Sequence, residues 1–215
     1  DSKNNIDRIY INNGSGHFSN YKGNLSFTNF DGQCVVTGDF NNDSYEDIFI
    51  GGRSKPGEYP NASPSKIVIN NAGILSDQSS QWNTSLKSLG MVTDAQARDF
   101  DQDGDLDIIV VGEWMAPTIL INTDGKFEIK PLISDQNLNG WHWSIDSGDF
   151  DSDGDQDLVI GNLGLNNKFK ASPKKTFQIF AGDLDDNGDH DVVLAKMFRD
   201  KLIPVRGKEC STQEM

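Results

Sequence analysis

The chain has 215 residues and a formal charge of −14. Its length is compatible with one domain. No stretch approaches the ~18 consecutive apolar residues of a membrane span, and no basic stripe with interleaved aromatics marks a nucleic-acid surface, so neither partner is expected. Nineteen of the 33 acidic residues fall in four nine-residue segments that contain no Lys or Arg. The acidity therefore describes those segments and says little about a partner. The sequence starts at Asp1 without a signal peptide, the pattern of a processed or trimmed chain, which decides nothing about export. Cys34 and Cys210 are too few for a disulfide framework and could pair or stay free. Five Asn-x-Ser sequons (Asn13, Asn24, Asn42, Asn61, Asn83) are what an Asn- and Ser-rich chain produces by chance.

In chain order the elements repeat. Residues 1–30 hold Ile9-Tyr-Ile-Asn-Asn13 and the turn Gly14-Ser-Gly16, reading as the last two strands of a unit whose first two are missing. Residues 31–89 form a complete unit. A strand at 35–40 enters the acidic segment Asp39-Phe-Asn-Asn-Asp-Ser-Tyr-Glu-Asp47, the run 48–50 leaves it, and Ile67-Val-Ile-Asn-Asn71 with the turn Ala72-Gly73 follows. Residues 90–138 repeat this with a strand at 95–100, Asp99-Phe-Asp-Gln-Asp-Gly-Asp-Leu-Asp107, the run 108–111, Ile119-Leu-Ile-Asn-Thr123 and Asp124-Gly125, a strong hairpin signal. Residues 139–176 have a strand at 143–150, Asp149-Phe-Asp-Ser-Asp-Gly-Asp-Gln-Asp157 and the run 158–160. They lack an Ile-x-Ile-Asn strand, and 165–175 read as a long loop or degenerate hairpin. A last, incomplete unit, 177–215, has a strand at 177–184, Asp183-Leu-Asp-Asp-Asn-Gly-Asp-His-Asp191 and the run 192–194.

The runs after the acidic segments are short, β-branched and mostly bounded by Gly, as in strands buried on both faces. A four-stranded antiparallel unit of this length, repeated, fits a blade of an all-β propeller, and such units must stack to bury both faces. The register allows an arc of about four blades cut from a larger ring, or a small ring closed by the first 30 residues. The arc is the expected arrangement.

Carboxylates held a few ångströms apart repel one another, and a hard dication with oxygen ligands relieves that cost. Positions 1, 3, 5 and 9 of each segment offer side-chain oxygens: Asp39, Asn41, Asp43 and Asp47; Asp99, Asp101, Asp103 and Asp107; Asp149, Asp151, Asp153 and Asp157; Asp183, Asp185, Asn187 and Asp191. Position 7 (Tyr45, Asp105, Asp155, Asp189) is expected to add a backbone carbonyl. An EF-hand is excluded, because it needs Glu at position 12, and here that position is Ile50, Val110, Ile160 or Leu194 inside the following strand. Four Ca2+ ions, one per loop, are expected, the first loop being weakest because Asn41 and Ser44 replace Asp and Gly. The apolar position 2 (Phe40, Phe100, Phe150, Leu184) is expected to point between blades.

The pattern Asp-h-Asp-x-Asp-Gly-x-x-Asp followed by an apolar strand resembles the FG-GAP and VCBS-type repeats of integrin α-subunit-like propellers. Residues 98–108 and 148–158 look closest to the bacterial VCBS form. The resemblance covers most of residues 9–194. It implies a calcium-binding propeller, usually of seven blades, in an extracytoplasmic location. No catalytic residues carry over.

In a propeller the loops opposite the acidic ones form the usual binding surface. Here they present Arg53 to Tyr59, Glu113, Trp114, Trp141, His142, Trp143 and 162–168. Exposed aromatics near charged groups suit a glycan or a protein hot spot, and the same Trp residues also suit packing between blades. No Gly-x-Ser-x-Gly or His-Glu-x-x-His occurs, and the three His are scattered. A non-catalytic binding or scaffold module is therefore expected, with a carbohydrate-active enzyme, a polysaccharide lyase or hydrolase, as the alternative. Oligomeric state is open.

Overall fold

A computed structural model describes residues 7–23, 31–134, 138–164, 167 and 169–206. Cys210, and the parts of the terminal units at 1–6, 24–30 and 207–215, lie outside the described residues, as do 165, 166 and 168 of the opposite-face loop. The protein is all-β, built of several antiparallel sheets that close no barrel among the described residues.

A ribbon of β1 (Tyr10–Asn12) and β2 (Phe18–Asn20) comes first. The first full sheet has β3 (Gly32–Gly38), β4 (Asp47–Gly52), β5 (Lys66–Asn71) and β6 (Ile74–Asp77) in that spatial order. Ala72 and Gly73 both have positive φ, at 50° and 92°. That is the turn whose twist matches a two-residue hairpin. A short helix α1 (Ser79–Trp82) and a 3-10 turn (Thr84–Ser88) then sink Trp82 and Leu86 into the core. The second sheet has β7 (Met91–Arg98), β8 (Asp107–Met115), β9 (Thr118–Asn122) and β10 (Phe127–Pro131). It continues into β11 (Gly140–Gly148) and β12 (Asp157–Asn162), because Gly140 and Trp141 pair with the far end of β8. Among the described residues no strand follows until β13 (Phe177–Gly182), which pairs with β14 (Asp191–Phe198) and that with β15 (Lys201–Pro204).

The entering strands stack, β3 against β7 and β7 against β11. Alternation along the leaving strands then sorts side chains to either side. Ile48 and Ile50 pack toward the ribbon, while Phe49 joins a core with Phe40, Val92, Ile108, Val110 and Phe127. Ile109 and Val111, on the other side of β8, meet Ile145, Leu158 and Ile160. Gly51 lets the first two sheets approach. A Cβ there would sit 2.6 Å from both Val92 Cγ1 and Cys34 Sγ. The entering strands also bond side chain to backbone. Thr93 Oγ1 donates to the His142 carbonyl (2.7 Å), and Asp94 Oδ2 accepts from the Ile145 amide (3.0 Å).

Two expectations need correction. Of the four strands that leave the acidic loops, β4 and β8 are covered on both faces and β12 and β14 are not. Val159 of β12 is 53% exposed. Likewise Phe40 is buried and Phe100 packs between sheets, but Phe150 and Leu184 are 66% and 54% exposed. For Val159 and Phe150 the cause is that among the described residues no sheet packs on the forward face of β11–β12 as β7 packs on β3. The sheet of β13–β15 is held by Phe177, stacked on Trp114, and by His190, whose Nε2 lies 3.0 Å from the Tyr59 carbonyl.

Candidate metal centres and the opposite face

All four acidic loops fold alike, and their own carboxylates fold them. The position-1 Asp accepts the amides of positions 5 and 6, one on each oxygen. In the second loop Asp99 takes Asp103 (3.1 Å) and Gly104 (3.0 Å). Asp39, Asp149 and Asp183 do the same. The position-5 side chain accepts the amide of position 7 in every loop. Position 9 accepts the amide of position 2: Asp47 from Phe40, Asp107 from Phe100, Asp157 from Phe150 and Asp191 from Leu184. Positions 4 and 6 take left-handed backbone in all four, at Asn42 and Ser44, Gln102 and Gly104, Ser152 and Gly154, Asp186 and Gly188. Position 6 is where Gly is expected; position 4 carries no glycine and was not legible.

This wrapping gathers carboxylates. Oxygens of Asp99, Asp101 and Asp107 lie within 4.8 Å of one another, as do those of Asp149, Asp151 and Asp157 and of Asp183, Asp185 and Asp191. Calcium–oxygen distances of about 2.3–2.6 Å put ligands on opposite sides of one ion about 5 Å apart, so each triad fits around a single ion. The donor set is oxygen only, and a carboxylate oxygen that accepts one N–H keeps a second acceptor site. The crowding has an electrostatic signature: the charge of Asp153 beside it holds Asp155 above the usual carboxylate range. Burial likewise pushes Asp47 and Asp107 upward. In the first loop Asn41 breaks the triad, and its Nδ2 donates to Asp43 (3.0 Å). At position 7, Asp105 turns its side chain outward, accepting from Asn42 Nδ2 (2.7 Å) and the Asp124 amide (3.0 Å).

Sequence reasoning missed the asparagine that ends the Ile-x-Ile-Asn strands. The Asn70 amide donates to Asp47 Oδ1 (2.8 Å), and its Nδ2 to the Glu46 carbonyl. The Asn122 amide donates to Asp107 Oδ1 (2.9 Å). Each side-chain oxygen also caps its own hairpin turn, at Gly73 and Gly125. The recurrence of Asn at one place in the repeat was the available signal.

Five of the six candidate residues of the opposite face come together, and His142 turns its ring elsewhere, toward Leu138. Glu113 is 4% exposed. Its Oε1 accepts from Arg53 Nε (2.6 Å), with Arg53 Nη2 closing on the same oxygen. Its Oε2 accepts from Tyr59 (2.8 Å), whose hydroxyl accepts from Trp114 Nε1 (2.7 Å). Burial pushes the Tyr59 phenol up to about 12. Trp114, at φ 61°, meets Trp141 edge-on at 5.0 Å, and Phe177 packs on both. His142 is buried with Nε2 3.0 Å from the Leu138 carbonyl. Trp143 is 46% exposed, with the Arg53 guanidinium 5.8 Å from its ring. Tyr59 and Phe177 complete this cluster and were not singled out, because their partners lie in other units.

Compared with known proteins, residues 99–160 match the family model of the FG-GAP-like repeat. The match runs from the second acidic loop through the third to the end of the apolar run in β12. Residues 99–160 are thus similar to an FG-GAP-like repeat. No curated protein matches it.

Proposed function

We propose that this FG-GAP-type repeat chain is an arc of about four propeller blades whose acidic loops bind Ca2+. In this reading it serves as an extracytoplasmic, non-catalytic scaffold that binds a protein or glycan. The observation that carries the metal reading is the recurrence of one all-oxygen triad in three loops of identical wrap. The arc reading is supported by the stacking of β3, β7 and β11 and by what stays open. Val159 of β12, Phe150 in the loop before it and Val192 of β14 are exposed, at positions whose equivalents in the first two acidic loops and in β4 and β8 are covered.

Positions 1, 3, 5 and 9, with the carbonyl of position 7, would hold each ion. When bound, calcium supplies positive charge that cancels carboxylate repulsion, so metal affinity becomes folding free energy. The chain's own part is to preorganise the loop. Position 1 clamps two amides and position 9 ties the loop's start to its end. The first loop, with Asn41, binds most weakly. Glu113 has both oxygens engaged and buried, which favours binding over acid–base catalysis on the opposite face. Trp143 and Arg53 offer the accessible part of that face. The described residues include no helix long and apolar enough to cross a membrane.

Thermal unfolding in chelator and in excess calcium tests the metal. Calcium at about 100 times Kd adds about 2.7 kcal/mol per site, so a rise in Tm lost stepwise in Asp101→Asn and Asp151→Asn variants is expected. An unchanged Tm would remove the reading. A glycan array with Trp143→Ala as control tests the carbohydrate version of the ligand, which unchanged binding by the variant would exclude.

A further inference from the structure

The first and second acidic loops are joined by side chains of this chain, and the third and fourth lack the residue that joins them. Asn122 is fully buried. Its Nδ2 donates to the carbonyl of Phe40 (2.8 Å), position 2 of the first loop, and to that of Leu106 (3.2 Å), position 8 of the second. Its amide holds Asp107 at position 9 of the second loop, and its Oδ1 accepts from Gly125 (3.1 Å). One residue thus fixes the start of one loop and the end of the next. A second strut runs on the surface, from Asn42 Nδ2 to Asp105 Oδ1. Among the described residues Asn70, the equivalent of Asn122 one unit earlier, directs its side chain to Glu46 and Gly73 and its amide to Asp47, all in its own unit. No Ile-x-Ile-Asn strand follows the third or fourth loop.

We propose that Asn122, with Asn42, is a positioning residue that couples the first two loops, so that a metal ion held by the second raises the affinity of the first. This rests on the calcium reading above. Phe40 lies between Asp39 and Asn41, positions 1 and 3 of the weaker loop. The strand pairing of Asn122 and its bond to Asp107 set where its amide group stands, and that group sets the Phe40 carbonyl. Ordering the second loop therefore removes freedom from the first before the first binds, which is positive coupling. The third loop has no such link to the first and acts independently.

Tb3+ is the probe. Tyr45 lies inside the first loop, so Tb3+ luminescence excited through tyrosine and lost in Tyr45→Phe reports that loop. With the second loop disabled by Asp101→Asn and Asp103→Asn, half-saturation of the Tyr45-dependent signal should rise about fivefold or more, the lower range of measured couplings. Disabling the third loop with Asp151→Asn and Asp153→Asn should shift it less than about twofold on the same scale. In Asn122→Ala the effect of disabling the second loop should shrink toward none. If that variant fails to fold by circular dichroism, the two loop comparisons decide alone, since their changes lie on the exposed rim. Equal half-saturation with the second loop intact or disabled overturns the coupling while leaving the metal reading standing. Absence of any protein-sensitised signal overturns the metal reading, and the coupling with it.

Discussion

Arg53 follows the end of β4 and Glu113 lies in β8, and their contact can be weighed without reference to metal. Glu113 is 4% exposed and its carboxylate depends on two donors, Arg53 and Tyr59. Removing one partner of a fully buried pair costs about 3–5 kcal/mol, because a charge is left uncompensated. The Arg53 side chain retains 33% of its exposure, so water can replace part of what it supplies, and solvent screening trims the figure. Arg53→Met should therefore destabilise by about 2–3 kcal/mol. Glu113→Gln keeps the shape and one acceptor while removing the charge, and should cost about 1–2 kcal/mol. If the two groups act on each other, the double variant loses less than the sum, with an interaction of about 1–2 kcal/mol. Urea unfolding at fixed calcium, followed by tryptophan fluorescence, measures all four proteins, and Trp114 and Trp141 report from the same cluster. The m-value should stay constant, since the change is in stability and not in exposed surface. A cost below about 0.5 kcal/mol for Arg53→Met, or strict additivity in the double variant, would refute the reasoning.

Other outcomes follow from the same geometry. Phe40→Ala should cost about 3–5 kcal/mol as a core truncation, while Phe150→Ala, at the same loop position but exposed, should stay within about 0.5 kcal/mol in chemical denaturation. Equal costs would mean that both positions are packed in solution. Ser44→Gly should stabilise by about 0.5 kcal/mol, because φ 72° strains a residue with a Cβ; a lower Tm would show that Ser44 makes a compensating contact. At Asp77, burial pulls the carboxyl upward, but the Ser79 hydroxyl and amide, with Lys66, outweigh it and leave the group below its ordinary value of 3.8. Its folded pKa is depressed, so its contribution is present above 3.8 and is lost as the pH falls through the lower, folded value. Asp77→Asn should therefore cost about 1 kcal/mol at neutral pH. That penalty should fade in acid unfolding below the ordinary value, and a pH-independent penalty would exclude the charge as its source.

The hairpin turns and loop wraps were legible because their causes are local. Asp124-Gly125 predicts its turn from conformational preference alone, and the acid spacing positions each carboxylate against amides two to seven residues away. β15 was missed because its turn is Arg199-Asp200, two residues at positive φ without the glycine that marks the other hairpin turns. Asn122 was visible only as a recurring letter. That its amide reaches the Phe40 carbonyl, 82 positions earlier, follows from how the second sheet lies on the first.

By itself the sequence determined the repeat, the all-β class, the acidic loops and their oxygen donor sets, since periodicity and side-chain chemistry are written residue by residue. Tertiary structure alone decided which equivalent positions are equivalent in fact. Phe40 and Phe150 share a motif, yet one is buried and the other exposed, because burial is conferred by the sheet that arrives on the far side. Glu113 is likewise an ordinary acidic residue until Arg53 and Tyr59, from the connection between β4 and β5, close on it and bury it.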